Sequence, residues 1–218
     1  MSYTALGFLI AAIFLFACFV VASVFNFKMR FKKPYHLRSH FPYELNYRGN
    51  YKDNIYGNII YAVYVLAVIV FLVFFDTTHN SGYLIVGLVA AAIVLISLSF
   101  LVYVPVDHLR VHMLIVAFAF IFSLTLASAT TIGSYFKYKA DNNIASLVSF
   151  IGSIIMVASY VILILNPKLS HWAEMDQETK EDGTVVQVRP KYFVLAYSEW
   201  AMMILFPLNL LFLFIETI

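Results

Sequence analysis

Six apolar runs, each about 20 residues long, constrain this chain more than anything else in it, because about 20 apolar residues is the length that carries a helix through the hydrocarbon of a bilayer. The runs fall at 4–25, 55–75, 83–104, 111–135, 144–165 and 193–215. Lipid offers the backbone no hydrogen-bond partner, so each run satisfies its own N–H and C=O groups as a helix. Composition agrees. The chain is 62% hydrophobic and 12% charged, whereas a soluble domain carries roughly 25% charged residues. The expected fold is all-α: one bundle of six transmembrane helices in a polytopic integral membrane protein, residues 1–218 forming a single domain.

The first run, "TALGFLIAAIFLFACFVVASVF", has no basic segment before it and exceeds the apolar core of a signal peptide. It reads as a retained helix. A single cysteine, Cys18, excludes an intrachain disulfide. Short polar breaks separate the spans: "DTTHNSG" after the second, "PVDHLR" after the third and "FKYKADNN" after the fourth. Two longer polar segments remain, 26–54 and 166–192. The second contains "TKEDGTVVQVRP", an Asp-Gly turn followed by alternating apolar residues, which suits a small hairpin.

Charge orients the bundle. Of the 14 Lys and Arg, twelve fall on the first, third and fifth connections, and the other two, Lys137 and Lys139, fall on the opposite side. By the positive-inside rule the long basic loops face the cytosol, or the matrix of a mitochondrion, and both termini face the other compartment. The first connection carries Lys28, Arg30, Lys32, Lys33, Arg38, Arg48 and Lys52 among aromatic residues. Beside a membrane helix this mixture reads as attraction to anionic headgroups rather than to nucleic acid. Topology-setting charge alone accounts for it equally well. Tyr35, Phe41, Tyr43, Tyr47, Tyr51 and Tyr56 would form an aromatic belt at the interface.

Two places inside the apolar pattern carry chemistry. "VPVDHLRVHM" holds Asp107, His108, Arg110 and His112. His108 and His112 share a helical face and suit two metal ligands, but zinc takes three or four, and the further candidates are Asp107, His171 and Glu174. The plainer reading makes Asp107 the cap of the fourth helix. No metal, cofactor or catalytic residue is assigned. The second place is Glu199, in "AYSEWAMMILFPLNLLF". A carboxylate at membrane depth either faces the bundle and finds a partner or snorkels to the interface beside Trp200. Depth along the fourth and sixth spans brings Glu199 near His112, with Tyr103 as another donor. Pro207 is expected to kink the last span and free carbonyls near Asn209. Ser128, Thr130, Thr131 and Ser134 on the fourth span read as helix-packing residues.

Three stretches together resemble one family, the six-span Frag/DRAM/Sfk-type membrane proteins that include the damage-regulated autophagy modulators. They are "FPYELNYRGNYKDNIYGNIIY", "GYLIVGLVAAAIVLISLSFLVYVPVDHLRVHMLIVAFAFIF" with His112 opening the fourth span, and "HWAEMDQ" with the Glu199-Trp200 pair. The first loop of that family is usually placed in the lumen or outside, opposite to the charge rule. The resemblance implies an endomembrane, lysosomal or plasma-membrane protein with a role in autophagy, in positioning phosphoinositide kinases or in remodelling lipid anchors. The functional expectation is a non-enzymatic protein that binds lipid, anionic for preference, or partner membrane proteins. One alternative is an accessory subunit of a large assembly such as a respiratory complex of the mitochondrial inner membrane. Another is a lipid-remodelling enzyme or carrier centred on His112 and Glu199.

Overall fold

The computed structural model describes residues 3–46, 51–75, 82–169, 174–179 and 184–217. Tyr47, Arg48, His171, Lys180 and the Asp-Gly turn lie outside them, as does the side chain of Tyr51. Among the described residues six α-helices follow one another: α1 (Tyr3–Phe31), α2 (Ile55–Val73), α3 (Gly82–Leu101), α4 (Leu109–Asp141), α5 (Ile144–Ile164) and α6 (Val194–Ile215). All six are long and apolar enough to cross a membrane.

Two helices run past the ends that hydropathy gives them. α1 continues from residue 25 to Phe31, with Lys28 and Arg30 in its last turn. Cations there complement the helix dipole, and Arg30 pairs with the Asp53 carboxylate. Lys32 ends the helix in the left-handed region (φ 54°), its N–H reaching Lys28 O at 3.0 Å, and Pro34 follows. α4 likewise absorbs "FKYKAD", which the sequence reading places in a connection. Asn142 stops it with φ 49° and an N–H bond to Tyr138 O, the left-handed stop that Asn tolerates better than most residues. Asn143 then caps α5 by accepting the Ala145 N–H at 2.9 Å. At 33 residues α4 is about 50 Å long, so it projects beyond a hydrocarbon layer of about 30 Å.

α1 pairs with α2, while α3, α4 and α5 pack in sequence order. α6 sits against α5, α4, α1 and α3. Of its apolar window 61% is buried, against 28% for α1, which makes α6 the central helix. Phe19 meets Tyr61, and Phe16 meets Tyr64, across the α1–α2 seam. Asn54 Nδ2 donates to Ser23 Oγ at 2.9 Å beside Gly57, where a Cβ would strike both side chains. Ser134 and Ser149 meet at 2.7 Å, and Ser149 donates on to Phe212 O, so hydroxyls join α4, α5 and α6. Thr130 and Thr131 bond back to carbonyls of their own helix. α6 passes through Pro207 as one helical run, with Asn209 buried two residues further.

The 166–192 segment contains the anticipated hairpin. β1 (Asp176–Thr179) and β2 (Val185–Val188) are antiparallel, with Gln177 opposite Gln187. The first connection is not a lipid-facing belt. Among its described side chains, Tyr35 and Phe41 are buried against the bundle, Tyr43 is half-buried and only Tyr56 is highly exposed.

Candidate functional site

Three connections meet over one end of the bundle: 32–54, 102–108 and 165–193. His112 lies three residues inside α4 and is fully buried. Its Nδ1 stands 2.9 Å from Val104 O and its Nε2 2.8 Å from Glu199 Oε1. A carbonyl only accepts, so Nδ1 carries a proton. A second proton must then lie in the Nε2···Oε1 bond, on either atom. In both arrangements the pair has no net charge, which removes most of the cost of a carboxylate at this depth. Both side chains are 0% exposed. Phe41 and Tyr43 stand edge-on to the imidazole, at 6.0 and 5.9 Å between ring centres.

Trp200, next to Glu199, points the other way round α6. Its Nε1 donates to Tyr35 OH at 3.1 Å and His40 O at 3.0 Å, and Tyr35 OH donates to Phe41 O at 2.8 Å. Trp200 is buried, and Glu199 turns inward to His112 rather than snorkelling to an interface beside it. The Glu-Trp dipeptide therefore pins α6 to α4 and to the first connection at once.

The two long connections are tied to each other. Arg189 Nη1 and Nη2 bond both Glu44 carboxylate oxygens at 2.8 and 2.7 Å, and Nη1 also reaches Ser39 O. Its guanidinium lies 5.9 Å from the Phe41 and Phe193 ring centres. The Phe193 N–H bonds Arg38 O, and Arg38 donates to Tyr192 OH. Sequence reasoning missed Glu44 and Arg189, which stand 145 residues apart.

The structure divides the expected basic set. Arg30 holds Asp53, and Asn26 Nδ2 donates to Asp53 O at 2.6 Å. Arg38 is engaged by Tyr192. Lys28, Lys32, Lys33 and Lys52 are exposed. Arg48 lies outside the described residues.

The metal and cap readings of the opening of α4 do not match the geometry. His108 is exposed while His112 is buried, so they share no site. Among the described residues no group of three His, Cys, Asp or Glu comes together. Asp107 lies in a 3-10 turn, Val106–His108, and α4 starts without a side-chain cap. Tyr103 reaches Asn58, not Glu199.

Above the buried pair lies a cavity of about 500 Å³, lined by Phe27, Phe31, Lys33, His40, Tyr43, Glu44, Asp107 and Arg189. Burial pushes the His40 imidazole below its ordinary value of 6.5, although Glu44 pulls the other way. Burial first, then Glu44, raises the Tyr43 hydroxyl, which stays protonated. His112 and Glu199 do not line this space. They hold the floor on which it is built.

No family model, curated protein or solved structure matches the chain.

Proposed function

We propose that this chain is a non-enzymatic integral membrane protein that binds membrane lipid through its loop-bearing end, where it also receives partner membrane proteins. The observation that carries the reading is the mixed-charge cavity, set on a braced floor where α1 leaves and α4 enters the apolar layer. Enzymatic use of His112 and Glu199 is disfavoured by their complete burial beneath Phe41 and Tyr43. The charge bias puts this end in the cytosol or matrix, where anionic headgroups attract Lys28, Lys32 and Lys33. The resemblance to the six-span autophagy-modulator family fits a lipid- or partner-binding role.

The test is recovery of bound lipid and protein from membranes in mild detergent, followed by native mass spectrometry. Phospholipid or a membrane protein should remain at fixed stoichiometry. Lys28→Gln with Lys32→Gln should weaken binding to anionic vesicles at low salt, with the difference vanishing as salt screens it. Arg30 is spared because it holds Asp53. A chain free of lipid and partner, binding vesicles no better than the variant, defeats the reading.

A further inference from the structure

We propose that the cavity over the His112–Glu199 floor takes the headgroup of a zwitterionic phospholipid, its ammonium on the Asp107 side and its phosphate on the Lys33 side. The inference rests on the lipid-binding reading above and names its ligand class.

The lining is nearly balanced in charge. Arg189 is held by both oxygens of Glu44, so that pair sends little net field into the space. Among the described residues of the lining, Lys33 and Asp107 remain, one of each sign and both exposed. They come from different parts of the fold. Lys33 follows the end of α1, beside Phe27, Phe31 and His40, whereas Asp107 belongs to the turn between α3 and α4. Tyr43 lines the space together with Asp107, and the charges of Glu44, Arg189 and Asp107 all reach its hydroxyl.

A phosphate alone satisfies Lys33 but meets Asp107. An ammonium alone meets Lys33. A group carrying both satisfies each wall. Aromatic faces add affinity for an ammonium, methylated or not, and here Tyr43 lines the same space as Asp107. Burial keeps His40 from adding a second positive charge at neutral pH. The volume, about 500 Å³, is that of a small-ligand site. The position favours a lipid over a soluble molecule. Phe27 and Phe31 are on the last turns of a membrane-spanning helix, so a headgroup here keeps its chains in the bilayer.

The test uses the full chain in mild detergent at one fixed, moderate salt concentration, where no bilayer surface is present and the exposed Lys33 and Asp107 charges still act at contact distance. Palmitoyl-oleoyl phosphatidylethanolamine, phosphatidylcholine and phosphatidylglycerol are offered in turn, and retention is read by native mass spectrometry. The two zwitterionic lipids should be retained over phosphatidylglycerol. Asp107→Asn should weaken their retention about fivefold, the scale of one headgroup-level charge contact. Asp107→Lys should turn the preference toward phosphatidylglycerol. Because Asp107 is exposed, both variants should keep the wild-type melting temperature. Equal or greater retention of phosphatidylglycerol by the wild type overturns the headgroup assignment and leaves lipid binding intact. An unchanged preference in Asp107→Lys shows that the cavity is not the site. Equal displacement by soluble glycerophosphocholine removes the membrane as the source. Failure to retain any phospholipid removes the lipid-binding reading itself.

Discussion

At position 199 a carboxylate stands inside a transmembrane helix with one partner, His112, and neither is exposed. Removing one partner of such a pair strands the other, which costs about 3 kcal/mol or more, whereas replacing both by apolar residues is often close to neutral. Glu199→Leu and His112→Leu should therefore each destabilise the protein, and the double Leu variant should recover most of the loss. Unfolding in micelles measures all three. Additive losses would show that the pair is not coupled. His40 gives a pH-dependent counterpart. Its folded-state pKa lies below 6.5, so the folded chain holds fewer protons than the unfolded one. Its contribution is complete above pH 6.5 and is lost as the pH falls. Glu44, Arg189 and His36 surround it and temper the effect. Melting temperature should drop between neutral pH and about pH 5, and His40→Gln should flatten that drop. A drop of the same size in the variant would assign it to other groups. Glu199 and His112 were legible because polar residues at membrane depth are few and helix rise converts sequence position into depth. Glu44 and Arg189 were not, since nothing local marks two loop residues as partners.

Helix packing here depends on a few positions without side chains. A Cβ at Gly152 would run into the Phe212 ring on α6, while one at Gly7 meets nothing within 4 Å. Gly152→Ala should lower stability by about 1–3 kcal/mol through overpacking. Gly7→Ala should be neutral or stabilising by up to about 1 kcal/mol, because it only restricts the unfolded chain within a helix. Thermal melting of the two variants side by side decides it, and equal shifts would contradict the close α5–α6 approach. Hydropathy located all six helices yet misjudged the ends of α1 and α4. An apolar window closes at the first charges, but Lys28, Arg30, Lys137 and Lys139 are good helix formers. Those helices stop instead at Lys32 and Asn142, where the backbone turns left-handed.

For the molecule as a whole, the charge distribution sets an expectation about sidedness. Lys33 and Glu178 are exposed at the end that gathers the first, third and fifth connections, and Lys139 is exposed at the other. With Cys18 replaced by Ser, cysteines at 33 and 178 should label from one compartment and a cysteine at 139 from the opposite one. Labelling of 33 and 139 from the same side would refute the six-span arrangement. Ser39 is a poorer reporter, being buried with its carbonyl bonded to Arg189. The bundle was legible from composition and run length. The way the connections fold over it was not, because their bonds join segments remote in sequence.

The helices are not joined with equal strength around the bundle. α1 and α2 grip each other through rings and the Ser23–Asn54 bond, and α3 grips α4, but α2 touches α3 sparingly. Between them runs an apolar groove of about 680 Å³, with Val65, Ile69 and Leu72 facing Leu95, Ile96 and Ser99. The α1–α2 hairpin is thus attached by two contacts of equal and small extent, α1 on α6 and α2 on α3, and through the loops above. Chain order places the hairpin before α3 and its contact on α6 more than 100 residues further along. The bundle is in effect a two-part kit, and a change that weakens α6 should loosen the first hairpin before it loosens α3, α4 and α5.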